Sequence, residues 1–99
     1  MLDNISDGVV SIGKDCQVTT INKIALKALN RQTKAVLGSH VKTLNLPDHT
    51  ILECLQGKTF NNAKKDLITE KGRFQYLATS RPIKDSAGHI IGAVEIAKD

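Results

Sequence analysis

Aromatic side chains are scarce in this 99-residue chain, which has two Phe, one Tyr and no Trp. Phe60, Phe74 and Tyr76 are too few for the stacking platform on which proteins hold single strands of nucleic acid. Arginine is almost as rare. Among 14 basic residues only Arg31, Arg73 and Arg81 carry the guanidinium fork that reads phosphates and base edges. The lysines are spread along the chain, with Lys64 and Lys65 the one adjacent pair. The net charge of +4 therefore reads as a solvated surface, and direct nucleic-acid binding is not expected.

Cysteine is limited to Cys16 and Cys54, without the C-x-x-C spacing of a metal or redox site. His40, His49 and His89 are scattered, and none has a second His three or four residues away. A metal site is not expected. No apolar run approaches the ~20 residues that span a bilayer. The opening Met1-Leu2-Asp3-Asn4 has neither the basic start nor the apolar stretch of an export signal. A cytoplasmic domain is expected, with its thiols acting as small hydrophobes. The motifs of catalysis are missing too: no G-x-S-x-G, no phosphate-cradling glycine loop, and no Ser-His-Asp or Cys-His set. Asp15, Asp48, Glu53, Asp66, Asp85 and Glu95 fall in turns or on polar faces, where carboxylates are ordinarily solvated. No enzyme is expected.

What remains is enough for one domain, residues 1–99, with 40% hydrophobic and 24% charged residues. Gly8 opens an apolar, β-branched run, Val9-Val10-Ser11-Ile12, that reads as a strand. Gly13, Lys14 and Asp15 turn the chain into a second strand over Gln17 to Ile21, giving a hairpin. The period then changes. Asn22 suits a helix N-cap, and Ile24, Ala25, Ala28 and Leu29 share one face of the following helix, with Leu26 at its margin. Lys23, Lys27 and Arg31 fall opposite, and Asn30 suits the left-handed position that ends a helix.

Short helical turns are expected near Lys34 to Leu37 and Val41 to Leu44, with Gly38 at positive φ between them. Pro47 and Asp48 mark a new helix, with Asp48 as its cap and Ile51, Leu52, Cys54 and Leu55 as its apolar stripe; Gly57 ends it. From Thr59 to Thr69 a strand follows, its polar first half irregular. Arg73 to Ile83 alternates, setting Phe74, Tyr76, Ala78 and Ser80 against Gln75, Leu77, Thr79 and Arg81. Pro82 belongs at an edge, a bulge or a strand end. After a turn over Asp85 to Gly88, His89 to Ala97 forms the last strand. The order β-β, helices, β-β-β implies an α+β domain: one five-stranded antiparallel sheet with helices packed on one face.

That order resembles the PAS sensor domains, and local sequences agree along most of the chain. Leu2-Asp3-Asn4-Ile5-Ser6-Asp7-Gly8-Val9-Val10 is similar to the family's lead-in helix and first strand. Ile21-Asn22-Lys23 resembles its passage from second strand to first helix, and Leu37-Gly38 its step into small central helices. Tyr76-Leu77-Ala78-Thr79-Ser80-Arg81-Pro82-Ile83, the D-x-x-G turn at Asp85 to Gly88, and Ile91-Gly92-Ala93-Val94 carry the resemblance furthest. Two departures stand out: Asn30 occupies a position commonly Gly, and the sequence stops before the Asp-Ile-Thr step that often follows. The expectation is a module cut from a longer regulator. The segment from Leu46 to Lys58 is similar to the PAS domains of bacterial sigma-54-dependent activators, with close relatives in sensor histidine kinases.

The resemblance implies a cavity between the sheet and the helices. Its expected lining is Leu26 and Leu29, Leu52 and Leu55, and a strand face bearing Phe74, Tyr76, Ala78, Ser80 and Val94. A slip of one residue in register would exchange the strand faces. Ser11 and Ser80 could offer hydroxyls to a small polar ligand. No cofactor is assigned. Haem would need an axial ligand on a helix facing the cavity, whereas His49 sits at a helix start beside solvent. The flavin motif N-C-R-F-L is absent. The expected function is signal input, with a small molecule or protein biasing the packing that attached output domains read. The alternative is a structural homodimerisation module joined through Leu2, Ile5, Val10, Ile12 and Ile91.

Overall fold

The computed structural model describes residues 7–70 and 72–98. Strand β1 (Gly8–Gly13) turns into β2 (Val18–Ile21), and helices α1 (Lys23–Leu29) and α2 (Thr33–Val36) follow. Two 3₁₀ turns, Val41–Leu44 and Pro47–His49, lead to α3 (Thr50–Cys54). Strands β3 (Phe60–Thr69), β4 (Gly72–Lys84) and β5 (Ile90–Lys98) complete one five-stranded antiparallel sheet in the order β2-β1-β5-β4-β3. The first and last strands of the chain to be made thus pair at the centre, β1 against β5. The expected α+β architecture is the one observed.

Asn22 explains why α1 starts where it does. Its Oδ1 accepts the backbone N–H groups of Ala25 and Val9, each at 3.0 Å, and its Nδ2 donates to the Asp7 carbonyl at 2.9 Å. One side chain caps the helix and ties it to the entry of β1. Asn30 ends the helix in the left-handed region (φ 54, ψ 48), its N–H donating to the Lys27 carbonyl. Replacing Asn22 by Ala is expected to cost about 2–3 kcal/mol, more than an ordinary cap, because long-range bonds go with it. Asn22→Asp keeps both acceptor bonds and should lose less; urea midpoints of the two variants check the order.

The second helical start differs from its sequence expectation. Asp48 does not cap α3. Asp48 (φ 61) and His49 (φ 48) both adopt left-handed backbone, α3 begins only at Thr50, and the half-buried His49 at the cap position makes no side-chain cap bond. Asp48 is drawn away by a sheet residue: its Oδ2 lies 3.2 Å from the Nζ of Lys65, whose side chain is 3% exposed. Elsewhere the irregularities fall where chain chemistry put them. The polar start of β3 bulges between Phe60 and Ala63, with Asn62 at φ 50. Pro82 lies beyond the last β3–β4 pair, Phe60 with Ser80, so its missing N–H costs no bond to β3.

The core forms where α1, α2, the 3₁₀ turns and α3 meet one face of the sheet. Val10, Ile12, Val18, Val36, Val41, Leu44, Ile51, Cys54 and Ala93 are buried together there. Because neighbouring side chains alternate, this fixes the facing of β1. Val10 and Ile12, expected at an outer dimer surface, point instead into the core at 6% and 1% exposure. Leu2 and Ile5, the other half of that proposed surface, lie outside the described residues. Ile91 is 49% exposed beside the bulge that ends the β4–β5 pairing.

A buried carboxyl group beside an apolar cavity

The register of the sheet stacks its inner face in rows. Gly8, Ala97, Ala78 and Ala63 lie side by side across β1, β5, β4 and β3. These small residues keep the floor low, and α1 contributes small residues from above at Ala25 and Ala28. At one end the layers touch: a side chain at Gly8 would come within 3.4 Å of Ala25. Past that contact a cavity of about 120 Å³ opens between α1 and the sheet. Ile24, Ala25, Ala28 and Leu29 of the helix line it, with Leu46 and, from the sheet, Val10, Leu67, Phe74, Tyr76, Ala97, Glu95 and the end of β5 at Lys98.

Glu95 is the unexpected member of that lining. It is only 6% exposed and stands beside Ser80 in the next row of the sheet, between Val10 and Ser80. Its Oε1 accepts from the hydroxyl of Ser80 at 2.8 Å and from that of Thr50 at 3.0 Å. Both hydroxyls are themselves buried, and they lie 3.4 Å from each other. Thr50 is the first residue of α3, so this triad fastens the helix to the centre of the sheet. Oε2 has no hydrogen-bond partner among the described residues.

The carboxyl group marks its neighbours electrostatically. Burial pushes the Tyr76 phenol upward, and the negative charges of Glu95 and Asp48 push it further. Burial likewise raises the Cys54 thiol to about 11, with Glu95 and then Glu53 adding to it. The sign of the consequence is fixed by linkage. Between pH 9 and 11 the unfolded thiol ionises while the folded one does not, so stability falls as pH rises. The slope from this one group is about 1.4 kcal/mol per pH unit. Urea midpoints measured from pH 8 to 10.5 should fall, and Cys54→Ala should flatten the decline that begins near pH 9. An unchanged slope in that variant would refute the assignment.

Of the residues expected around the cavity, Leu29, Phe74 and Tyr76 line it. Ala78 and Ser80 share their strand face and are fully buried, Ser80 acting through Glu95 rather than on the cavity directly. Leu26, Leu52 and Leu55 pack against the core cluster instead. Two expectations are reversed. Ser11 and Val94 are partners across β1 and β5 on the opposite face of the sheet, away from Ile12, Ala93 and Glu95. The Ser11 hydroxyl is held there by those of Thr19 and Thr20. Glu95, Leu46 and Leu67 line the cavity, Thr50 holds Glu95, and Lys65 is buried against Asp48, none of them expected in these places. Lys65 is readable in hindsight: it alternates with Ala63 and Leu67 in β3, and such a position faces inward whatever its charge.

The sheet order, the helices on one face and the cavity beneath the first of them define the fold of the PAS sensor domains. Solved structures with that fold superpose over nearly the whole chain. The PAS domain of BvgS from Bordetella pertussis matches with a TM-score of 0.74 at 16% identity, over 98% of this chain and 76% of that one. The PAS domain of the histidine kinase ThkA gives 0.69 at 17%, over 94% and 99%. The Escherichia coli DhaR(N)–DhaL complex gives 0.74 at 18%, over 98% of this chain but only 33% of the matched one. At these identities the likeness is one of fold. No family model and no curated protein matches the sequence. Among the described residues no helix is long and apolar enough to cross a membrane.

Proposed function

We propose that this domain is a sensory module whose signal is a small molecule bound beneath α1. The observation that supports this best is the placing of buried Glu95 on a mainly apolar cavity. A carboxyl group buried for stability alone is a poor choice, since apolar replacements of buried ionisable groups often stabilise. A small ligand with one polar group would use it. Occupation of the cavity biases the packing of α1 on the sheet, and with it the termini that join the domain to its output domains. The resemblance of the Leu46–Lys58 segment favours the output of a sigma-54-dependent transcriptional regulator in the bacterial cytoplasm. The likeness to the ThkA domain favours a sensor histidine kinase as the second reading.

A thermal-shift screen of water-soluble metabolites tests the reading, run on the wild-type domain and on Ala28→Trp. Ala28 lines the cavity from the exposed side of α1, so the larger ring fills the space without entering the core. Compounds that raise the wild-type melting temperature should leave the variant's unchanged. Equal shifts in both proteins would place the binding elsewhere and remove the proposed sensing site.

A further inference from the structure

The chemical class of the signal follows from how Glu95 is held, an inference that rests on the sensory reading above. Oε1 is occupied by the hydroxyls of Thr50 and Ser80 at 3.0 and 2.8 Å. Oε2 has no hydrogen-bond partner among the described residues, although the residue is only 6% exposed. A buried acceptor left without a partner is uncommon and costly in a native fold. The nearby cations do not satisfy it. Lys65 is turned to Asp48 at 3.2 Å, and Lys98, exposed at the end of β5, makes no ion pair among the described residues.

From these contacts we infer that the cavity selects a small primary amine, its ammonium group donating to Glu95 Oε2 and its apolar body lying among Leu29, Leu46, Leu67 and Phe74. Three features of the lining agree. Among the described residues Glu95 is the one acidic side chain on the cavity and is buried, whereas Lys98, the basic one, lies exposed at its rim where water screens it, so a cation at Oε2 gains and an anion there loses. Phe74 and Tyr76 are its aromatic members, and the faces of such rings attract ammonium groups. The volume of about 120 Å³ is a little below the ~150 Å³ that accommodates benzene, which limits the guest to about five non-hydrogen atoms.

The test compares isobutylamine with its isostere isobutanol, of five non-hydrogen atoms each, and with the slightly larger anion isobutyrate, titrated at constant ionic strength and followed by the backbone amide resonances of the ¹⁵N-labelled domain. Isobutylamine should bind about tenfold or more tightly than either analogue, with saturable shifts at Ala25, Leu29, Glu95 and Ala97. Glu95→Gln should erase that preference, and Ala28→Trp should abolish binding of all three. Equal or tighter binding of isobutanol or isobutyrate in the same cavity overturns the amine inference and leaves the sensory reading standing. The amine inference falls in the same way if Glu95→Gln retains the preference. Absence of saturable shifts around the cavity with every probe overturns both. The wild-type comparison of the three probes decides the matter even where a variant fails to fold.

Discussion

Removing the two hydroxyls that hold Glu95, by Thr50→Val together with Ser80→Ala, is expected to cost about 3–5 kcal/mol of folding stability. The loss comes from stranding a carboxyl group in the interior, since each lost bond is one made to a buried ionisable acceptor. Adding Glu95→Leu to the pair should therefore restore most of what was lost, whereas Glu95→Leu with both hydroxyls intact should itself cost about 1–3 kcal/mol, because two buried hydroxyls lose their acceptor. Such strong non-additivity is the signature of groups that act as one unit. Urea midpoints across the set, at constant m-value, measure it. If the double variant loses less than about 1 kcal/mol, or if Glu95→Leu adds a further loss, the triad is not what fastens α3 to the sheet. The triple variant should also be blind to any ligand that the wild-type protein binds.

The second large effect is steric. Gly92 pairs with Gly13 where β5 runs beside β1, and a Cβ there would sit 2.3 Å from the backbone oxygen of Ile12. No side chain can swing aside to relieve that contact, because the obstacle is the neighbouring strand itself. Gly92→Ala must push apart the two central strands of the sheet or fail to fold, and a loss of about 3 kcal/mol or more is expected. The adjacent, half-exposed Ile91 is the control: Ile91→Ala should stay within about 1 kcal/mol of wild type. Far-UV circular dichroism and urea unfolding of both variants check the contrast. A Gly92→Ala protein as stable as the wild type would mean that Gly13 and Ile12 do not pair with Gly92 and Ala93 as the register has them.

Why some of this can be read in the sequence, and some not, is a matter of range. Asn22 and Asn30 act on groups within a few residues, so the limits of α1 are legible from their chemistry alone. Strand β4 is legible too, because Ala78 and Ser80 alternate with Leu77, Thr79 and Arg81 and the two faces differ. In β1 and β5 the faces do not differ. Val9-Val10-Ser11-Ile12 and Ala93-Val94-Glu95-Ile96-Ala97 are apolar on both sides with one polar residue each. Turning Val94 inward and Glu95 outward is the natural choice from polarity. The structure reverses β1 and β5 together, because Ser11 and Val94 are partners.

What decides the facing of Glu95 is Ser80, 15 residues back, and Thr50, 45 residues back. That information is absent from any local window. Asp48 fails as a helix cap for the same reason, since the cation that claims it stands 17 residues ahead on β3. The cavity itself is legible only through the PAS resemblance, and its lining only in part. Its floor depends on Gly8 and Ala97 falling opposite each other, in one row with Ala78 and Ala63, a coincidence of register that no single strand reveals.

Everything proposed for this domain requires that it meet its signal between α1 and the inner sheet face, with Glu95 at the contact. Amide chemical-shift mapping of the strongest small-molecule hit on the labelled wild-type domain puts that placement to the test. The largest changes should fall at Val10, Ala25, Leu29, Tyr76, Glu95 and Ala97. Changes centred instead on Val9, Ser11, Thr20 and Val94, the opposite face of the same strands, would show that the signal binds elsewhere.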